Sequence, residues 1–201
     1  MIVQPLFDHI CGWGEGLCWD SRTQKLYFVD CSRSMVGITD LDNPNEITFV
    51  KTPSMPTKVL LTTDSDRSLV LLDDGFYEIV DGVCGAQPVI GMPSASVGRF
   101  NDAGVDFAGN IVTGNLNLSP TEGSAFWIRR DGFDWQQFSP NKTNANGPCF
   151  SADGRSLYVA DTPSGIIYHY EYDAITGSIG RCFSLSWRIA RAFETLTSCT
   201  T

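Results

Sequence analysis

The chain has few of the residues that build zinc fingers or bind nucleic acids. Its 201 residues include only two histidines, His9 and His169, and its seven cysteines form no C-x-x-C pair, which argues against a zinc ribbon or finger. Lysine and arginine number 14 against 23 aspartates and glutamates, so the formal net charge is −9. Such a chain is not attracted to phosphate backbones or anionic lipid, and neither nucleic acid nor membrane is an expected partner.

Long hydrophobic runs are also missing. The first sixteen residues contain no basic segment followed by an apolar one, and no apolar run approaches the roughly 20 residues of a membrane-spanning helix. These absences predict a soluble, cytoplasmic protein. The cysteines are expected to be reduced and mostly buried rather than redox-active or nucleophilic.

What the sequence does contain is an internal repeat. The segments GLCWDSRTQKLYFVD (16–30) and GPCFSADGRSLYVAD (147–161) align without a gap, and related segments start at residues 59 and 104. The starts are 43 to 45 residues apart, a spacing typical of β-propeller blades. Each unit contains short β-branched and aromatic runs separated by Asp, Gly, Ser and Asn clusters, and helix signals are almost absent. The sequence therefore predicts an all-β fold, a β-propeller with about four blades in this chain.

A polar side chain stands near the first strand of three of the four units. These residues are Glu15 in the first unit, Arg99, Asn101 and Asp102 in the third, and Asn146 in the fourth. Loops at one end of a propeller channel converge on its axis, so residues in phase with the repeat are expected to line the same mouth. Carboxylate and amide oxygens suit Ca²⁺, Mg²⁺, Mn²⁺ or a catalytic Zn²⁺, and an arginine can bind a hydroxyl or carboxylate of a polar substrate. Taken singly, Glu15 is more simply explained as an exposed turn residue and Arg99 as a solvated charge, and the two asparagines as turn formers. As a set in phase with the repeat, they favour a functional site.

The repeat segments resemble a known family. The stretches WGEGLCWDSRTQKLYFVD (13–30), GRFNDAGVDFAGNIVTGN (98–115) and the segment starting at NGPCFSADGRSLYVAD (146–161) are similar, in order and spacing, to signatures of the senescence marker protein/gluconolactonase/regucalcin family. The similarity extends over about residues 11–183. It implies a six-bladed β-propeller that holds one divalent cation (Ca, Zn, Mn or Mg) in its channel and hydrolyses a small-molecule sugar lactone.

The resemblance assigns roles residue by residue. Glu15 and Asn146 match the metal ligands of the family. Arg99 and Asn101 match the pair that contacts the substrate, and in some members the residue matching Asn101 also serves the metal. Asp102 is interpreted as an acid that orients this pair. In such an enzyme the metal polarises the ester carbonyl, and a carboxylate takes the proton from water. The family's aspartate base, in P-D-G-x-x-x-D, lies beyond the matching region, so no catalytic residue is assigned.

The end of the chain departs from the family pattern. Residues 1–183 are expected to form a partial β-propeller, and residues 184–201 an irregular or short helical tail, with helical spacing over about 187–196. A non-native reading frame is the alternative for this tail. The chain is accordingly interpreted as a C-terminally truncated member with four of six blades, whose incomplete ring favours self-association.

Three functions remain open at this point. The first is a divalent-metal-dependent sugar lactonase of the gluconolactonase or arabinonolactonase type, which the missing aspartate could leave inactive. The second is a non-catalytic, calcium-binding protein like regucalcin. The third is an interaction propeller, in which the channel residues are incidental.

Overall fold

The described part of the chain is built almost entirely from β-strands. The structure, a computed structural model, describes residues 4–94, 96, 98–116, 124–130 and 133–186. Its strands form four antiparallel sheets, and in each sheet four strands follow one another in chain order. This arrangement confirms the all-β fold and the four propeller blades predicted from the repeat.

Each blade is an antiparallel meander of four strands. Blade 1 contains β1 (Gly14–Asp20), β2 (Lys25–Asp30), β3 (Met35–Asp40) and β4 (Thr48–Lys51), with a 3-10 helix (Cys31–Arg33) after β2. Blade 2 contains β5 (Lys58–Leu61), β6 (Arg67–Leu71), β7 (Gly75–Val80) and β8 (Val83–Cys84), and β9 (Ile90–Gly91) also pairs with β7. Blade 3 contains β10 (Arg99–Val105), β11 (Ile111–Leu116), β12 (Ser124–Arg129) and β13 (Gln136–Lys142). Blade 4 contains β14 (Ala145–Phe150), β15 (Ser156–Asp161), β16 (Ile166–Asp173) and β17 (Ser178–Ser186).

The described residues divide into two compact units. The first extends to Ser94 and includes Arg99–Asp102, the first four residues of β10, and the second comprises the remainder. The core of the first unit contains Val29, Val59 and Val70, all without solvent exposure. The core of the second unit is built around fully buried side chains that include Phe126 and Leu157. Blades 1 and 2 thus share one apolar core, and most of blades 3 and 4 share another.

Glycines allow the first strands of neighbouring blades to approach closely within each unit. Gly16 in β1 has φ +60°, and a Cβ placed on it would lie 2.7 Å from the carbonyl oxygen of Thr57 and 3.0 Å from the Cα of Lys58. In the second unit, a Cβ on Gly104 would lie 2.5 Å from the carbonyl oxygen of Pro148. A larger side chain at either position would push these strands apart, so glycine is a packing requirement at the start of the first and third repeat segments.

A buried polar network closes the β10–β11 turn onto blade 4. The Asp106 carboxylate accepts hydrogen bonds from the backbone N–H and the side-chain amide of Asn110, at 2.9 and 2.8 Å, and from the Tyr172 hydroxyl at 2.7 Å. The Asn110 amide also donates to the carbonyl oxygen of Ala174. Burial raises the pKa of Tyr172, and its hydrogen bond to the Asp106 carboxylate raises it further, so the hydroxyl remains a donor.

Replacing Tyr172 with phenylalanine is expected to lower the free energy of unfolding by about 2 kcal/mol, because a buried bond to a carboxylate is lost. Tyr158→Phe is the matched control, since Tyr158 is 37% exposed. Thermal unfolding followed by circular dichroism measures both variants. Equal stability of the two would show that the Asp106 network does not hold the turn.

The cysteines are free but less buried than predicted. Of the six described cysteines, only Cys31 is buried; Cys11, Cys18 and Cys84 are partly exposed, and Cys149 and Cys182 are exposed. The expectation of mostly buried thiols is therefore wrong for the described cysteines.

The last described strand extends past the predicted boundary at residue 183, since β17 ends at Ser186. The rest of the predicted tail, including the helical spacing over 187–196, lies outside the described residues. Within the part of the chain that the structure describes, no helix has the length and apolar character needed to cross a membrane.

Candidate functional site

Glu15 and Asn146 occupy the same position in blades 1 and 4. Glu15 pairs with Val29 across β1 and β2, and Asn146 pairs with Ala160 across β14 and β15. In both blades the register then shifts until the next cysteine, and the residue after the candidate ligand is a glycine with φ near +60°. A bulge of this kind redirects the side chain that precedes it. The gapless repeat in the sequence thus corresponds to a repeated local geometry around the two predicted metal ligands.

A buried aspartate fixes the loop that leads into each of these strands. In blade 1, the Asp30 carboxylate accepts hydrogen bonds from the N–H groups of Gly12 and Trp13, at 3.0 and 3.4 Å. In blade 4, the Asp161 carboxylate accepts them from Thr143 and Asn144, at 3.0 and 2.9 Å. Trp13 directly precedes β1 and Asn144 directly precedes β14, so each aspartate positions the start of the strand that carries the candidate ligand.

Asp30 is held as a carboxylate despite its complete burial. Burial by itself would raise its pKa, but hydrogen bonds from Gly12, Ser32 and Trp13 and the charge of Arg33 outweigh this effect and hold the pKa at about 2. The Arg33 guanidinium lies 2.9 Å from the carboxylate and also donates to the carbonyl oxygen of Ile10. The blade 1 loop is therefore tied down by a charge that stays ionised throughout the neutral range.

The two candidate ligands differ in how their side chains are held. Glu15 is exposed, and its carboxylate accepts a hydrogen bond of 3.3 Å from the indole N–H of Trp13. The Asn146 amide donates from Nδ2 to the hydroxyl of Thr162 at 2.8 Å. That bond places the amide nitrogen beside the Thr162 hydroxyl.

Strand β10 holds the third group of predicted site residues. Phe100 is fully buried, its ring centroid lies 5.7 Å from that of Phe76, and its N–H donates to the carbonyl oxygen of Asp73. Because side chains alternate along a strand, anchoring Phe100 places Arg99 and Asn101 together on the opposite face. Both are half-buried.

Four of the five predicted site residues belong to the first unit: Glu15, Arg99, Asn101 and Asp102. Glu15 and Arg99 both lie close enough to the Cys31 thiol to act on its pKa. Burial and, to a lesser extent, the Glu15 charge raise the pKa of Cys31 to about 11, although the Arg99 charge opposes them. Cys31 is therefore a neutral thiol and does not serve as a nucleophile.

Lys58 is a charged neighbour of the predicted site residues that none of the sequence motifs indicates. Its ammonium nitrogen lies 3.8 Å from the Asp102 carboxylate, and its Cα packs beside Gly16, the residue after Glu15. Lys58 follows Glu15 by 43 residues, one repeat period, so the repeat phase could have found it. The interpretation of Asp102 as the acid that orients Arg99 and Asn101 stays a prediction, and the structure adds Lys58 as its ionic partner.

The chain matches one protein family over most of its length. The family model described as the SMP-30/gluconolactonase/LRE-like region matches residues 13–185. The pentonolactonase XacC of Haloferax volcanii is 27% identical over 184 residues, covering 89% of this chain and 60% of that protein. The chain thus spans about 60% of the length of this curated relative.

Solved structures show the same fold. A structure described as the calcium-binding protein regucalcin of Agrobacterium tumefaciens superimposes with a TM-score of 0.75 at 21% identity, covering 86% of this chain and 59% of that one. A gluconolactonase of Xanthomonas campestris superimposes with a TM-score of 0.71 at 16% identity, covering 86% and 62%.

Proposed function

Because the chain belongs to the SMP-30/gluconolactonase/LRE-like family, we propose that it is a divalent-metal-dependent hydrolase of sugar lactones. The observation that carries the proposal is the shared geometry of Glu15 and Asn146, each placed before a glycine bulge at the start of its blade. The names of the relatives, a pentonolactonase and a gluconolactonase, supply the substrate class. The whole protein's activity and substrate are part of this proposal.

The residues present fit a hard divalent cation. The Glu15 carboxylate and the carbonyl oxygens of Asn101 and Asn146 are all oxygen donors, as Ca²⁺, Mg²⁺ and Mn²⁺ prefer, and a catalytic Zn²⁺ also accepts them. The bond from Asn146 to Thr162 is made by the amide nitrogen, so it is compatible with ligation through the side-chain oxygen. A cation bound by this set would polarise the carbonyl of a lactone and favour the ionised form of a nearby water.

The other residues would bind and orient the substrate. A sugar lactone presents several hydroxyls and one cyclic ester, and the Arg99 guanidinium offers fixed N–H donors for the hydroxyl oxygens. Asn101, on the same face of β10, offers both a donor and an acceptor. Water adds to the carbonyl carbon, the ring C–O bond breaks, and the ring oxygen takes a proton to become a hydroxyl. The products are an open-chain hydroxy carboxylate and one proton, which is the acid release that an assay follows. The family's aspartate motif, P-D-G-x-x-x-D, does not occur in the sequence, so no residue is assigned as the proton acceptor.

The test is hydrolysis by the purified chain after removal of metal. Protein treated with chelator and then desalted is mixed with glucono-δ-lactone or L-arabinono-γ-lactone, and acid release is followed with and without Ca²⁺, Mg²⁺, Mn²⁺ or Zn²⁺. We expect turnover above the spontaneous rate with at least one cation and none with chelator. A lactone without hydroxyls, such as δ-valerolactone, is the substrate control for binding through Arg99.

Two other outcomes separate the alternatives. Folded protein that binds a cation without turning over any lactone would overturn the hydrolase and favour the non-catalytic, calcium-binding function. Folded protein that does neither would leave the interaction propeller.

Lys58→Met is expected to strengthen divalent cation binding by about 3- to 10-fold, because it removes a positive charge beside the strand that carries Glu15. Lys25→Met is the matched control, because Lys25 is exposed and pairs with Asp20, at the other end of β1 from Glu15. Titration calorimetry with Ca²⁺ measures both variants at low ionic strength. Weaker binding by Lys58→Met would instead indicate that Lys58 holds Asp102 in a position the cation needs.

A further inference from the structure

A second cluster of metal-ligating side chains lies in the blade 1 loop. One ligand atom each from His9, Cys11 and Asp30 lies within 4.8 Å of the others. Bonds of 2.0 to 2.3 Å in a tetrahedral zinc site place the ligand atoms about 3.5 Å from one another. Side-chain movements of about 1 Å would therefore bring these three atoms to bonding distance from one cation. The cluster uses no residue predicted for the cation and lactone.

The His9 side chain points to a missing partner. Its Nε2 is buried and has no hydrogen-bond partner among the described residues. The imidazole packs against Phe49, with ring centroids 4.8 Å apart, and this contact fixes the ring. A buried polar atom without a partner is costly, and a bound cation would satisfy it.

Hydrogen bonds hold the Asp30 carboxylate in one orientation. One oxygen accepts the shorter bonds from Gly12 and Arg33, at 3.0 and 2.9 Å. The other accepts a bond of 3.4 Å from Trp13 and one of 3.0 Å from Ser32, and it is the oxygen better placed to exchange a weak bond for a cation. Neighbours of this kind fix ligand orientation in protein metal sites.

The repeat supplies an internal comparison. In blade 4, Asp161 makes the same two backbone bonds as Asp30, but Pro140 and Lys142 stand where blade 1 has His9 and Cys11. The aspartate-capped loop therefore forms without a histidine or a cysteine. Folding of the loop therefore does not explain why blade 1 has both His9 and Cys11.

We propose that His9, Cys11 and Asp30 form a site for a thiophilic divalent cation, with Zn²⁺ as the chemical type. Nitrogen, sulfur and oxygen ligands suit Zn²⁺, whereas Ca²⁺ and Mg²⁺ prefer oxygen alone. Cys11 binds as a thiolate, and its proton passes to solvent. Cys11 borders an open cleft of about 390 Å³, so a cation would reach the cluster from the side of the cysteine. A water from this cleft would be the fourth ligand.

The test uses Co²⁺ as a spectroscopic probe for Zn²⁺ in the full chain after chelator treatment. We expect a thiolate-to-cobalt charge-transfer band that saturates at one Co²⁺ per chain, disappears on adding Zn²⁺ and persists in excess Ca²⁺. Cys11→Ser is expected to abolish the band, and His9→Gln to weaken Co²⁺ binding at least tenfold. Cys84→Ser and His169→Gln, outside the cluster, are the matched controls and should retain it.

An absent band in the folded parent, or a band that survives Cys11→Ser, would overturn the proposal. A second measurement on the unmodified chain applies if Cys11→Ser does not fold. Zn²⁺ should slow alkylation of Cys11 at least tenfold, measured by mass spectrometry of peptides, and leave the exposed Cys149 unchanged. Equal alkylation of Cys11 with and without Zn²⁺ would also overturn it.

Discussion

Replacing Glu15 with glutamine is expected to weaken Ca²⁺ binding about 100-fold or more and to reduce any lactone hydrolysis to the spontaneous rate. The variant removes the carboxylate from the proposed oxygen set while keeping its shape. A 100-fold loss corresponds to about 2.7 kcal/mol of binding free energy. Calorimetric titration gives the affinity, and acid release gives the rate.

The fold should survive this substitution. Glu15 is exposed, and a glutamine side-chain oxygen can still accept the hydrogen bond from the Trp13 indole. Glu46→Gln is the control, because Glu46 is also exposed and lies in the turn between β3 and β4. Unchanged Ca²⁺ affinity in Glu15→Gln would remove Glu15 from the metal site. The test also separates the two proposed sites, since the cobalt band of the His9, Cys11 and Asp30 cluster should be the same in this variant.

The blade architecture could be predicted because each repeat contains its own structural signals. Runs such as KLYFVD and SLYVAD end on aspartate at equivalent positions, and the structure places them as β2 and β15. Their period fixed the number of blades. Strand pairing within a blade is local, so neighbouring segments in sequence are also neighbours in the sheet.

The equivalence of Glu15 and Asn146 could also be predicted, since it follows from an alignment without gaps. The role of Asp30 and Asp161, the aspartates that end β2 and β15, could not be predicted. Asp30 and Asp161 were visible as repeated letters, but their partners are backbone N–H groups 17 or 18 residues away, and any loop sequence offers such groups. Lys58 could not be predicted from its chemistry, because a lysine is not a metal ligand of the oxygen type, although it has the same position in the repeat as Glu15.

Replacing Asp30 with asparagine is expected to be the most destabilising single change in the capped loops, at about 3 kcal/mol near neutral pH. Arg33 would lose the negative charge with which it pairs. An asparagine side chain also has only one acceptor oxygen, whereas the hydrogen-bond donors around Asp30 now share two carboxylate oxygens. Thermal and urea unfolding in chelator measure the effect without a contribution from bound metal. Asp42→Asn, at an exposed position, is the control and should be neutral.

The dependence on pH distinguishes a buried charge from simple packing. The folded-state pKa of Asp30, about 2, lies below its ordinary value of 3.8, so its ionisation stabilises the fold above about pH 4. This contribution, about 2 kcal/mol, is lost as the pH falls toward 2. The stability difference between the parent and Asp30→Asn should therefore be full at pH 6 and shrink to a minor part of its value near pH 2. A difference that stays constant from pH 6 to pH 2 would mean that Asp30 acts through its shape and hydrogen bonds, and that its charge does not stabilise the loop leading to Glu15.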